Sequence, residues 1–312
     1  MNPIVQRILM APAMKITLQI TDKYDNIFIM IYRSICSGFV RLCLAVVFLS
    51  MIVRASYALD LLLPQRSFQG DLVIGRIDPG YKITVNGRPQ PVDPQGYFVI
   101  AVPRDLKKDL LVKARRKNDS TSHTIQTLKY DWQIQNINGL AKNHVNPSQS
   151  ERMQMKMDRS KIKAVRKTQP YVLPLFLKKG FVMPVKGRIS GVFGSQRILN
   201  GEPRAPHSGL DIAAPRGTPA HSPADGIARL VIKDTFLMGN VLMIDHGLGV
   251  SSIFIHLDSV EVQEGDLVRQ GEIVARVGQT GRATGPHLHW GVSVGSTPVD
   301  PQRLISREFT LP

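Results

Sequence analysis

The chain has very little cysteine, with only Cys36 and Cys43 among its 312 residues. Two thiols are too few for a disulfide-stapled scaffold or for a zinc site made of four thiolates. Both cysteines also fall within residues 1–58, which we predict to be an export signal that is removed. The mature chain therefore needs no disulfide chemistry outside the cytoplasm, and neither a metal site nor a catalytic nucleophile in it can use a thiolate.

The chain also lacks a comfortable membrane span near its start, since a span needs about 20 apolar residues. The apolar run LCLAVVFLSMIV covers only residues 42–53. Arg33 and Arg41 precede it, and the small-x-small sequence Ser-Tyr-Ala at 56–58 follows it. This pattern predicts a secretory signal peptide over residues 1–58, cleaved after its last residue, and an exported, periplasmic protein. An uncleaved membrane anchor is the alternative.

Acidic residues are scarce: 24 Asp and Glu stand against 40 Lys and Arg, which gives a net charge of +16. Residues 59–180 contain 22 basic and 10 acidic residues, whereas residues 181–312 contain 12 of each. Such a surplus indicates a polyanionic partner but does not by itself distinguish nucleic acid, membrane and cell wall. Because of the export signal and the neutral C-terminal part, we expect anionic wall material and no nucleic acid. Membrane contact is expected only through an uncleaved N-terminal segment.

The front of the mature chain alternates like β-strands. The segments LVIGRI, YKITVN, YFVIAV and LLVKA are rich in β-branched and aromatic residues, and they occupy residues 72–77, 81–86, 97–102 and 110–114. Turn-forming clusters of Asp, Asn, Pro and Gly accompany them. The pattern predicts a small antiparallel β-sandwich over residues 59–140, immunoglobulin-like in the broad sense. A wall-binding or partner-binding module and a simple spacer are equal alternatives for its role.

A basic helical connector is predicted over residues 141–180. Residues 150–168 contain neither Gly nor Pro, and Ser150 is placed to be the N-cap of a helix. Four apolar residues could form one face of this helix: Met153, Met157, Ile162 and Val165. We expect that face to pack against a domain. A basic amphipathic helix lying on an anionic membrane is the alternative.

Residues 181–312 change character again. They are rich in Gly and β-formers and show no long helical period. Short strands are predicted at residues 241–245, 251–255, 273–278 and 288–294. The fold class of the whole chain is therefore mainly β, with a C-terminal antiparallel β domain.

Histidines are concentrated in this last domain, which has six of the eight. His287 and His289 form an H-x-H pair, and on a strand the side chains at i and i+2 share one face about 7 Å apart. Catalytic zinc typically has three protein ligands and an open position for water. His207, Asp211 and one member of the H-x-H pair would supply the ligands. The other member and His256 would then handle protons and the developing oxyanion.

The segments around these candidates carry a resemblance to a known family. They are FVMPVKG, RISGVFG, GTP, VQEGD and GQTGRATGPHLHW, at residues 181–187, 188–194, 217–219, 262–266 and 278–290. In this order they closely resemble the lysostaphin/LytM-type zinc metallopeptidases, which cut peptide cross-bridges of bacterial peptidoglycan. The resemblance covers about residues 181 to 302, and its T-G-x-x-T-G-P-H-L-H run is highly specific.

The resemblance implies a Zn²⁺ ion held by His207, Asp211 and His289, with His256 and His287 flanking the bound water. It also implies that peptidoglycan peptide stems are the substrate. Some members of the family lack ligands and act only as non-catalytic activators of other murein hydrolases, which is the alternative function. All five residues are present here, so we expect a metalloendopeptidase. No Glu base of the H-E-x-x-H type accompanies the motif, so a histidine is the expected proton acceptor.

Two further histidines need separate interpretation. Residues 220–223, Ala-His-Ser-Pro, replace the Val-x-Ala-Pro that is more usual in the family, and we expect His221 not to touch the metal. His246 fits the family pattern at a turn, where we expect a structural role. An obvious C-terminal wall-targeting repeat is missing, and the resemblance then favours a Gram-negative periplasm and a D-alanyl–diaminopimelate cross-link as the bond cut. The sequence carries no signal for the oligomeric state.

Overall fold

A computed structural model describes residues 61–140, 142–168 and 173–305. The predicted signal peptide over residues 1–58, with Cys36 and Cys43, lies outside these residues. No helix within the described ranges is both long enough and apolar enough to cross a membrane.

The front of the described chain is a two-layer β structure. Its strands are β1 (Arg66–Phe68), β2 (Leu72–Arg76), β3 (Lys82–Val85), β4 (Arg88–Gln90), β5 (Tyr97–Ala101), β6 (Leu110–Arg116), β7 (Asp119–Leu128) and β8 (Ile134–Ile137). One sheet has the order β1-β7-β6-β3-β4, and β2 and β5 pair as a separate two-stranded sheet. Phe98 and Ile100 of β5 belong to the same buried cluster as Ile83, Val112 and Ile125 of the larger sheet.

This arrangement departs from the predicted antiparallel sandwich. β1 pairs in parallel with β7, and one layer contains only two strands, so an immunoglobulin-like sandwich is not clearly seen. The physical reason is that alternation indicates which residues of a strand are buried, but not which strand lies beside it. The four predicted strands themselves coincide with β2, β3, β5 and β6.

Three helices complete the described chain: α1 (Lys142–Val145), α2 (Gln149–Lys167) and α3 (Pro301–Ile305). The prediction of Ser150 as the N-cap of the connector helix is wrong. Ser148 is the N-cap: its Oγ accepts from the backbone N–H of Glu151, and its own N–H donates to the carboxylate of Glu151. This reciprocal capping box satisfies two of the donors that a helix start leaves open.

The predicted apolar face of α2 is only half right. Ile162 is buried and Val165 packs beside it against the C-terminal sheet. Met153 and Met157 are 65% and 52% exposed. The face turned toward the domain instead includes Asp158, which is 1% exposed. A carboxylate at a buried helix position interrupts the apolar period and so conceals the true face.

The C-terminal domain is a large antiparallel sheet, as predicted. Its strands, with a short pair beside it, are β9 (Arg188–Gly191), β10 (Gln196–Leu199), β11 (Glu202–Pro203), β12 (Leu210–Ala213), β13 (Pro219–His221), β14 (Gly226–Thr235), β15 (Gly239–Gly247), β16 (Val250–Val260), β17 (Leu267–Val268), β18 (Ile273–Val277), β19 (His287–Val294) and β20 (Thr297–Val299). The main path is β17-β14-β15-β16-β19-β12-β9. Trp290, Phe254 and Leu210 are almost completely buried in its core.

The front and the C-terminal sheet are joined by packing and by strand pairing. Leu72 and Val99 belong to the hydrophobic cluster of the C-terminal domain. The side chain of Arg104 donates to the carbonyl of Gly194 at 2.7 Å. β8 pairs in parallel with β10, which in turn pairs with β11. The described residues therefore form one compact unit, and a domain boundary near residue 140 stays a prediction.

Candidate metal centre

Three buried side chains converge on one face of the C-terminal sheet. Asp211 on β12 and His289 on β19 are direct cross-strand partners, so their side chains share a face. His207 lies just before β12. Its Nε2 is 2.9 Å from Nδ1 of His289 and 3.0 Å from Oδ1 of Asp211. The third edge of this triangle, from Nδ1 of His289 to Oδ1 of Asp211, is 2.8 Å.

The donor set fits zinc. Four-coordinate zinc with bonds of about 2.0–2.1 Å to nitrogen and oxygen separates its ligands by roughly 3.3 Å, slightly more than these edges. His207 places Nδ1 2.9 Å from the carbonyl of Val192. Because a carbonyl can only accept, Nδ1 carries the proton, and the lone pair of Nε2 faces the triangle. Two imidazoles and one carboxylate thus offer three ligand atoms within a small displacement of zinc-binding positions.

The protonation states of the triangle also suit a cation. Burial lowers the pKa of His207 to about 4, although Asp211 opposes the shift. Burial alone would raise the pKa of Asp211, but its close contacts with His207 and His289 hold the pKa well below its usual value. At neutral pH, His207 is therefore a neutral imidazole and Asp211 a carboxylate, which are the forms that bind metal.

Sequence reasoning missed Arg197, which contacts the other oxygen of the acidic ligand. Its Nη2 lies 2.5 Å from Oδ2 of Asp211, and the guanidinium is mostly buried. This ion pair leaves Oδ1 of Asp211 directed at the two histidines. Arg197 lies on β10 in the stretch QRILNG, which carries no motif or periodicity that could have identified it.

His256 and His287 lie beside the triangle, with ring centroids 4.8 Å apart. Nδ1 of His256 is 2.8 Å from the carbonyl of Thr280, and Nδ1 of His287 is 2.8 Å from that of Gly285. Both Nδ1 atoms must donate, so each neutral ring keeps an unprotonated Nε2. Nε2 of His287 is 3.9 Å from Oδ1 of Asp211. Both histidines thus present an unprotonated Nε2 next to the His207–Asp211–His289 group.

The backbone at His256 is strained. Its φ is +63°, in the left-handed region that few non-glycine residues adopt. The β15–β16 register shifts here by one residue, between the pairs Asn240–Leu257 and Leu242–Phe254. The N–H of His256 donates to the carbonyl of Met238 at 2.7 Å. Bulges and strained residues that redirect a side chain concentrate at functional sites.

The other two histidines of the domain lie elsewhere. His246 is fully buried, with Nδ1 2.9 Å from the carbonyl of Asp225 and Nε2 2.8 Å from Oγ of Ser252. His221 has Nδ1 3.2 Å from the carbonyl of Pro184. Neither is part of the His207–Asp211–His289 group.

A mixed His–Asp–His centre on an antiparallel sheet, flanked by two further histidines, is the type of site found in mononuclear metallopeptidases. Comparison with known proteins agrees. Residues 205–301 match the model of peptidase family M23.

Two relatives are similar over 95 residues, which is 30% of this chain. Peptidoglycan DD-endopeptidase ShyB of Vibrio cholerae is 44% identical, and DD-carboxypeptidase/endopeptidase Mpg of Neisseria meningitidis is 43% identical. The match spans only 22% of the length of each. A solved peptidase M23 structure from Pseudomonas aeruginosa is 28% identical, with a TM-score of 0.61 over 80% of this chain and 99% of that one. Similarity to that structure therefore extends beyond the family segment into the front of the chain.

Proposed function

We propose that this protein is a zinc-dependent endopeptidase that hydrolyses peptide cross-links of bacterial peptidoglycan, in cell-wall remodelling or division. The observation that carries the proposal is the His207–Asp211–His289 triangle with His256 and His287 alongside. The names of the M23 relatives support peptide stems of peptidoglycan as the substrate. A D-alanyl–diaminopimelate cross-link is the bond we assign, since the relatives are named DD-endopeptidases.

Each residue of the centre has a distinct part in the proposed reaction. His207, Asp211 and His289 would hold a zinc ion, which supplies a Lewis acid that acidifies water and polarises a peptide carbonyl. His256 or His287 takes a proton at its Nε2 as water attacks. Once charged, that ring donates from both nitrogens and can pass the proton to the leaving amine. The carbonyls of Thr280 and Gly285 keep the two rings oriented throughout.

The proposed location is the periplasm, reached through the predicted signal peptide over residues 1–58. Relatives that are peptidoglycan hydrolases support a place in the cell envelope. The alternative, a non-catalytic activator of other hydrolases, is not favoured because the full set of ligand and proton-handling residues is present.

The test is digestion of purified cross-linked muropeptides. The wild-type protein should convert dimers to monomers, lose this activity to a chelator and regain it when zinc is returned. His289→Ala should be inactive at any zinc concentration. His221 lies away from the centre, so the control variant His221→Ala should match the activity of the wild type. Activity that is indifferent to both the chelator and His289→Ala would remove the proposal.

A further inference from the structure

Two cavities have His256 or His287 in their walls, and arginines line both. The larger, of about 440 Å³, includes His207, His256 and His289 in its wall. The smaller, of about 140 Å³, includes Asp211, His256 and His287. Arg197 and Arg282 line both cavities. A peptide that occupies either cavity therefore lies near these guanidinium groups.

The larger cavity is cationic. Four of its lining residues are arginines, namely Arg159, Arg197, Arg204 and Arg282, and only Asp158 contributes a carboxylate. Arg197 and Arg204 also have carboxylate partners, Asp211 and Glu202. Among the described residues that line this cavity, arginines thus outnumber carboxylates four to one, and a bound zinc ion would add further positive charge.

Arg282 is held at a defined point of this wall. Its backbone N–H donates to the carbonyl of Leu237 at 2.9 Å. It lies on the loop between Thr280 and Gly285, whose carbonyls orient His256 and His287. The loop that orients the two histidines thus also places the Arg282 guanidinium in the walls of both cavities.

The arginines of this wall repel one another. Burial, followed by the charges of the three other arginines, lowers the pKa of Arg282. Like charges that are partly removed from water destabilise each other, and an anion that enters between them relieves this repulsion. Arg159 comes from α2, so part of the basic surplus of the front half faces the centre.

We propose that Arg282 and Arg159 form an anion subsite that binds a carboxylate of the substrate peptide beside the scissile bond. This inference rests on the proposed function. In a D-alanyl–diaminopimelyl link, the carbon that bears the scissile nitrogen also bears a carboxylate. A planar guanidinium matches a carboxylate with two parallel hydrogen bonds, which fixes position as well as charge.

The experiment compares two cross-linked peptides that differ at one group. One has a free carboxylate on the carbon bearing the scissile nitrogen, and the other has the carboxamide. The zinc-loaded full chain should prefer the carboxylate by about 10- to 100-fold in kcat/KM, the usual effect of a charge-assisted hydrogen bond. Arg282→Gln should reduce this preference to within about threefold, and Arg282→Lys should give an intermediate value. Arg269→Gln, a change at an exposed arginine absent from both cavity walls, should keep the wild-type preference.

Each outcome separates the subsite from the proposed function. If the wild type cleaves neither peptide, the proposed function fails. If it cleaves both at equal rates, or if Arg282→Gln retains the full preference with normal zinc content, the subsite is wrong and the proposed function stands. Should Arg282→Gln fail to fold, Arg159→Gln decides, because Arg159 is an exposed helix residue. It should lower the preference about threefold or more, and an unchanged preference would overturn the subsite.

Discussion

Gly209 lies directly against the imidazole of His289. A Cβ atom at Gly209 would be 2.7 Å from Nε2 of His289 and 2.5 Å from the carbonyl oxygen of Trp290. Both distances are shorter than real Cβ contacts allow, and one of the atoms belongs to rigid backbone. The glycine in His-Ser-Gly-Leu-Asp therefore makes room for the His289 imidazole, which another strand supplies.

Gly209→Ala should displace His289 and weaken zinc binding. Overpacking of this kind typically costs about 1–3 kcal/mol of stability. The matched control is Gly285→Ala, in the same site, where a Cβ would meet nothing within 4 Å. Zinc content and the urea midpoint of both variants are the measurements. Equal zinc content and stability in the two would contradict this account of Gly209.

Alanine substitutions of the two histidines of β19, His287 and His289, should have different effects on zinc content and turnover. His289→Ala should lose metal and activity together, because Nδ1 of His289 is one corner of the proposed ligand triangle. His287→Ala should keep most of its zinc and lose roughly 10²- to 10⁴-fold in rate, the usual contribution of a positioned acid–base group. His256→Ala should resemble His287→Ala. Zinc content measured beside turnover separates the roles, and an empty site in His287→Ala with a loaded one in His289→Ala would reverse them.

Arg197 should act on the metal through Asp211. Arg197→Gln frees Oδ2 of Asp211 from its ion pair, and loss of such an outer partner typically costs about 10- to 100-fold in metal affinity. Chelator competition measures this affinity without any turnover. Arg276→Gln, which breaks a solvent-exposed pair with Glu261, is the control and should leave zinc affinity unchanged. Identical affinities for both variants would limit Arg197 to a structural role.

Asp300 should make stability depend on pH. Burial raises its pKa from 3.8 to about 6, and Asp71 nearby adds to the shift. The N–H of Gln302 donates to its carboxylate, and Arg303 lies 3.6 Å away, but these do not outweigh burial. Because the folded pKa is the higher one, the stabilisation is fully present below about pH 4 and is lost as the pH rises through about 6.

Asp300→Asn removes the titration and keeps an oxygen that can accept from Gln302. The free energy of unfolding of the variant minus that of the wild type should therefore rise between pH 4 and pH 7. The rise should be at most about 3 kcal/mol, since one pKa unit corresponds to about 1.4 kcal/mol. Urea unfolding of both proteins at several pH values measures it, and a flat difference would show that Asp300 does not titrate in this range.

The sequence patterns predicted which segments are strands better than they predicted which strands pair with each other. Alternation identified β2 and β5 as strands, but the parallel β1–β7 pair depends on contacts that no local pattern encodes. Ser150 was predicted as the N-cap because the helix was delimited by the absence of Gly and Pro, whereas the decisive feature was Glu151 three residues after Ser148. Local sequence is enough for such a cap only when both partners are considered.

The candidate ligands could be found from sequence because family motifs surround them. Their roles remain predictions, while the structure brings His207, Asp211 and His289 together. Arg197 and Arg282 could not be assigned in the same way, because Arg197 lies outside the motifs and Arg282 occupies a variable position of the T-G-x-x-T-G-P-H-L-H run. Their relation to the centre depends on the fold of β10 and of the loop before β19, and an arginine in a basic chain carries no distinguishing signal of its own.

The parallel pairing of β8 with β10 limits how far the family domain can be treated as a transferable part. Gln135 of β8 is the register partner of Arg197, so the strand whose arginine contacts Asp211 is paired with residues 62 positions upstream. The family segment itself begins at residue 205, after Arg197. Moving residues 205–301 alone into another protein would carry over the three candidate ligands but not the arginine that contacts Asp211. Starting at residue 181 would include that arginine but leave one edge of β10 without its strand, open to pairing with another chain.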